Sequence, residues 1–169
     1  MNDLLERIAE YVDDLVILTD AESRMCTWVG RQRFLNARRL NRDPGLGPPH
    51  TSDANDIRGA HSEFAASVLL NKYWRPSIGE ITNPDVGGVV QVRSTIIETG
   101  RLIIKPADQD DAPFVLIVAN MEGLRFRFAG WLFARDAKTW PLLCEYGDPA
   151  HFVDQCALLP RAALQAWLA

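Results

Sequence analysis

At 169 residues, 47% of them hydrophobic and five of them Trp, the chain is long and apolar enough for one domain with a substantial core. Its net charge of −4 argues against a protein that coats nucleic acid non-specifically, and no apolar run is long enough to span a bilayer. Cys26, Cys144 and Cys156 fit reduced core thiols better than a disulfide framework, and the start of the chain lacks a signal peptide's basic end and apolar middle. The expectation is a cytoplasmic protein without a membrane partner.

Leu4, Leu5, Ile8, Tyr11, Val12 and Leu15 recur at helical spacing and predict a first amphipathic helix in an acidic segment. A second helix is expected from Trp28 to Leu40, with Val29, Phe34 and Leu35 facing inward. The glycines and prolines of residues 43–49 cannot continue a helix, so within one domain residues 1–43 form an N-terminal helical portion, 44–54 a loop and 55–169 the core. A third helix follows, roughly Asn55 to Lys72, with Ser52, Asp53 and Asp56 as candidate N-caps and Ile57, Ala60, Phe64, Val68 and Leu69 as its buried stripe. Glu63 lies beside that stripe.

From Val89 the period changes to two, with Val90 and Val92 on one face and Gln91, Arg93 and Thr95 on the other. Strands are expected at Leu102 to Lys105, Phe114 to Ala119 and Leu124 to Ala134, with turns at Glu98-Thr99-Gly100, Gln109-Asp110-Asp111 and Glu122-Gly123. The stretch from Trp140 to His151 reads as irregular, and Pro160 opens a last helix, Arg161 to Leu168. The fold class is α/β, with helices packed on an antiparallel meander of about four strands.

The candidate chemistry lies at Asn83–Thr95, N-P-D-V-G-G-V-V-Q-V-R-S-T. Asp85 supplies a carboxylate and Gln91 a neutral carbonyl oxygen, both hard ligands of the kind Mg²⁺ takes beside water and phosphate. Arg93 shares the face of Gln91 and can grip a phosphate, although it cannot act as a base. The same features also suit a polar strand face after an ordinary turn.

These residues carry a resemblance. The helix I-R-G-A-H-S-E-F-A-A, the aspartate in P-D-V-G-G, the strand Q-V-R-S-T and the following R-L-I-I-K-P-A-D resemble the PD-(D/E)XK nuclease superfamily, especially small phage and mobile-element proteins. The likeness extends through about residues 55–160. It implies a restriction-endonuclease-like mixed sheet flanked by helices, and a DNA phosphodiesterase using Mg²⁺ or Mn²⁺. Asp85, Gln91 and Glu63 would hold the metal, and Arg93 would complete the catalytic set. Gln91 stands where the superfamily carries an acid and Arg93 where it carries lysine, so a degenerate site is part of the expectation. The alternative is a non-catalytic phage or mobile-element module on the same fold, a virion component or a host-factor inhibitor, acting in the host cytoplasm. A homo-oligomer or a phage or host protein partner fits that alternative.

Further candidates surround this stretch. The arginines from Arg24 to Arg42 form a basic run without an acid, in which Arg31, Arg38 and Arg42 share a face. They suit nucleic-acid contact, or a solvated face paired with the acidic first helix. Asp108, Asp110 and Asp111 read as a turn or, for Asp108, as an extra ligand, with Lys105 standing in for the missing lysine. His61 suits a base or a surface cap, and Trp74 suits a core anchor or a base-stacking platform. No zinc spacing, nucleophile triad or glycine-rich phosphate loop is present.

Overall fold

The computed structural model describes residues 14–40, 53–79 and 83–169. The expected first helix up to residue 13, the 43–49 loop, Ser52 and Arg42 lie outside the described residues. Leu15, read as the end of that helix, instead begins a short strand, β1 (Leu15–Ile17).

Helix α1 spans Asp20–Arg39, starting eight residues before the expected Trp28. Thr19 caps it: the Thr19 Oγ1 accepts from the Glu22 N–H at 3.3 Å, and the Thr19 N–H donates to the Glu22 carboxylate at 2.7 Å. Acids in the first turn and Arg38 and Arg39 in the last match the helix dipole. The buried face of its early turns is Cys26, Val29 and Gly30, too small to register as an apolar stripe. Leu35, expected inside, is exposed.

Helix α2 (Ala54–Leu70) agrees closely with expectation and ends at Asn71, whose φ of +52° breaks the helix. Asp53 sits at its N-cap without a side-chain cap and pairs with Arg31 instead. Val68 is exposed, whereas Ala60, His61, Ser62, Glu63, Ala65, Ala66, Ser67, Leu69 and Leu70 are buried. Burial therefore wraps much of the helix, because α1 packs on one side and the sheet on the other.

Strands β2 (Gln91–Thr95), β4 (Pro113–Asn120) and β5 (Arg125–Phe133) join β1 in a mixed sheet of order β1-β5-β4-β2. β4 is buried on both faces over seven of its eight residues, as its unbroken apolar run requires. The expected meander is not formed. β2 runs parallel to β4, Gln91 opposite Phe114 through Thr95 opposite Val118. A parallel pair needs a long crossover, and residues 96–112 provide it. Within it, β3 (Leu102–Ile104) leaves for a second, antiparallel sheet of order β3-β7-β6, formed with β6 (Leu142–Tyr146) and β7 (Asp148–Val153). The stretch read as irregular is thus a hairpin, turning at Gly147 with φ +99°.

β4 and β5 form the expected hairpin, although the left-handed residue in the turn is Leu124 (φ +49°) rather than Gly123. A four-residue helix, α3 (Ala134–Ala137), follows β5, and α4 (Arg161–Trp167) closes the chain. The result is mixed α/β, with four helices among the described residues. Val115, Ile117 and Ala119 of β4 join Phe126 and Leu164 in the core beneath α2. Phe114 and Leu116 point the other way, into a second core with Leu102, Ile104 and Val153 of the small sheet.

Candidate functional site

Asp85 is placed by a tight turn. Trp74 bridges Val86, and Val86 and Val90 exchange backbone hydrogen bonds of 3.1 and 3.0 Å. Gly87 (φ +60°) and Gly88 (φ +74°) allow this closure. The turn returns the chain so that the Asp85 Oδ2 accepts from the Val92 N–H at 2.8 Å, at the edge of β2 that no strand covers among the described residues. The residue as a whole is half-buried, but its carboxyl group is enclosed. Burial, and then the neighbouring charge of Glu63, push its pKa up to about 7; the Val92 N–H, Arg33 and Arg93 oppose the rise.

Glu63 is buried on α2, and both of its oxygens are taken. Arg33 of α1 grips them at 2.6 and 2.7 Å in a bidentate pair, and the Trp74 indole N–H donates to the second at 3.1 Å. Arg33 is itself fixed through Nε to the Ser77 carbonyl at 2.8 Å. Burial works against the Arg33 charge, but the hydrogen bonds and charge of Glu63 more than offset it and raise its pKa. Trp74 is therefore committed to the core, edge-on to Phe64, and is not a free stacking platform.

Gln91 and Arg93 stand on the other face of the sheet. Val92 packs into the core beneath α2, so by alternation its neighbours point toward the small sheet. Arg93 lies over the Phe114 ring at 4.8 Å and donates through one terminal nitrogen to both oxygens of Asp108 at 3.1 Å. The structure thus brings Glu63 and Asp85 together, places Gln91 and Arg93 across the sheet, and adds Arg33, which the sequence pattern did not single out. The oxygens of Glu63 thus accept from Arg33 and Trp74 and one oxygen of Asp85 from Val92, while Gln91 lies across the sheet from both.

The other candidates resolve similarly. Asp108 caps its own turn, accepting from the Lys105 N–H at 2.8 Å, and lies with Arg93 rather than with Asp85. Lys105 follows β3, which pairs with β7 and not with β2. Asp110 pairs with Lys138 and Asp111 with Arg135. His61 is buried between helices, its Nδ1–H donating to the Ile57 carbonyl at 2.8 Å and its Nε2 accepting from the Ser23 hydroxyl at 3.0 Å, so it is neither a surface cap nor an exposed base.

On α1, Arg24, Trp28, Arg31, Leu35 and Arg38 follow one another at steps of four, three, four and three residues, and all five are exposed. Arg31 pairs with Asp53 at 3.1 Å while staying 63% exposed, and Arg38 covers the Phe34 ring. Arg33 was legible in principle: it continues the buried series Cys26, Val29, Gly30 at helical spacing, off the face of Arg31 and Arg38. Compared with protein-family models, curated proteins and solved structures, the chain matches none.

Proposed function

We propose that this chain is a nuclease-derived DNA-binding module whose acidic pocket serves the fold rather than catalysis. The observation that carries the reading is the bidentate Arg33–Glu63 pair sealed by Trp74. A guanidinium occupies the charge that a metal would neutralise, and Asp85 beside it gains its proton near neutrality. Contact with DNA is assigned to the exposed face of α1, where Arg24, Arg31 and Arg38 alternate with Trp28 and Leu35. Guanidiniums grip phosphates in forks, and the indole adds an amphipathic surface.

The test is fluorescence anisotropy with a labelled duplex over a salt series, beside incubation of linear, circular and single-stranded DNA with Mg²⁺ or Mn²⁺. The expected result is salt-dependent binding, weakened in Arg31→Ala/Arg38→Ala with a salt slope lower by roughly one per phosphate contact removed. No cleavage is expected. Metal-dependent cleavage that Asp85→Ala abolishes would overturn the proposal and favour the active nuclease.

A further inference from the structure

A cleft of about 480 Å³ opens between the end of β2, the crossover and the small sheet, away from the α1 surface. Its apolar walls include Ile103, Leu116 and Phe152, and its polar groups include Arg93, Arg101 and the hydroxyl of Thr95. Among the described residues no carboxylate-bearing side chain lines it.

The two arginines are held alike. Each is stacked on an aromatic ring, Arg93 over Phe114 and Arg101 over Phe152, both at 4.8 Å. Each is tethered to a carboxylate through a single terminal nitrogen, Arg93 to Asp108 and Arg101 to Glu145. A guanidinium carries five N–H donors. Among the described residues the Nε and the other terminal nitrogen of each make no hydrogen bond, so both groups are oriented by packing yet keep donors in reserve. Thr95 Oγ1 accepts from the Ile97 N–H at 3.1 Å, which leaves its proton to give. The polar part of the cleft is rich in donors and poor in acceptors, the chemistry of an anion site. The apolar walls suit a flat, weakly polar body attached to that anion. The volume lies within the range of about 300–1,000 Å³ common to small-molecule sites.

We infer that this cleft binds a phosphorylated nucleoside, its phosphate on Arg93 and Arg101 and its base against Ile103, Leu116 and Phe152. The same unit occurs as a free nucleotide and as one residue of a single strand. The site shares no residue with the α1 face, so it stands independently of duplex binding.

Calorimetry on the full chain with dTMP, thymidine, inorganic phosphate and the oligonucleotide (dT)8 tests this. Binding of dTMP is expected, with thymidine and phosphate each weaker by about tenfold or more, as loss of charge-assisted bonds or of the apolar contact dictates. Arg101→Met should weaken dTMP by about tenfold or more, whereas Arg31→Ala/Arg38→Ala should leave it unchanged. dTMP should also raise the melting temperature of the wild type but not of Arg101→Met, a readout that holds even if the variant is less stable. With the α1 face removed as Arg31→Ala/Arg38→Ala, (dT)8 binding at least tenfold tighter than dTMP makes the strand the source, and binding no tighter makes it the free nucleotide. Absence of dTMP binding at millimolar concentration, equal binding of thymidine, or unchanged affinity in Arg101→Met would sink the inference.

Discussion

Three ionisable side chains under α1 set the chemistry at the residue scale. Glu63 is paired with Arg33, and Asp85 lies beside them with its pKa raised to about 7 by burial and by the Glu63 charge. Because the folded pKa of Asp85 exceeds that of the unfolded chain, its protonated form favours folding fully below about pH 4, and this contribution is lost as pH rises toward 7. Asp85→Asn keeps an oxygen for the Val92 N–H and removes the titration. Urea unfolding from pH 4 to 8 should show the variant more stable than wild type at pH 8, by roughly 1–3 kcal/mol, with little difference at pH 4. His61 works in the opposite direction. Burial holds its pKa below the usual value, so its contribution is present above about pH 6.5 and fades under acid. The Asp85→Asn variant should therefore gain stability as pH rises toward 6.5. The Arg33–Glu63 pair gives a second prediction. Arg33→Met leaves a buried carboxylate unpaired and should cost about 3–5 kcal/mol, whereas Arg33→Met/Glu63→Gln should recover most of that loss. A double-mutant cycle measures the difference.

The junction of α1 and α2 is the controlling contact at the element scale. A Cβ on Gly30 would lie 2.4 Å from the Ile57 Cα, so the two backbones touch there, and neither side can move as a flexible side chain would. Gly30→Ala should lower stability by about 1–3 kcal/mol through overpacking. Gly59, one turn along α2 from Asn55, is different: a methyl group added there would meet nothing within 4 Å. Gly59→Ala should therefore raise stability by roughly 0.5–1 kcal/mol through helix propensity alone. Thermal melts of the two variants separate these opposite effects. The same junction shows why part of the sequence was hard to read. The start of α1 was written in the spacing of Thr19 and Glu22, a capping signal, rather than in large apolar residues. β2 and β3 were each legible as strands, but their partners were not: alternation reports which face is buried, and it carries no information about which strand lies alongside.

On the scale of the whole molecule, two cores flank one sheet. β4 contributes to both, with Val115 and Ile117 to one and Phe114 and Leu116 to the other. Among the described residues no helix is long and apolar enough to cross a membrane. The cysteines report on this architecture. Cys144 and Cys156 are exposed, contrary to the expectation of three core thiols, while Cys26 is buried and its thiol is pushed up to about 12 by burial first and by Glu22 and Glu63 after it. A thiol reagent should therefore label Cys144 and Cys156 rapidly and Cys26 only at the rate of unfolding. Mass spectrometry of a labelling time course counts the sites, and rapid triple labelling under native conditions would contradict the packing of α1.

By itself, the sequence determined the helix α2, the last helix α4, the strands β2 to β5 and the common face of Gln91 and Arg93, but not β1, the first turns of α1 or the β6–β7 hairpin. What it determined depends on side-chain period and on local backbone chemistry, which act over a few residues. Only the tertiary structure decided that β2 pairs parallel with β4, that Glu63 and Asp85 meet on one side while Arg93 joins Asp108 on the other, and that Arg33 takes the place beside Glu63. Those outcomes depend on distances between groups remote in sequence. Burial then raises the Asp85 pKa, because removing water from a carboxyl group disfavours its charged form, and the Glu63 charge adds to the rise.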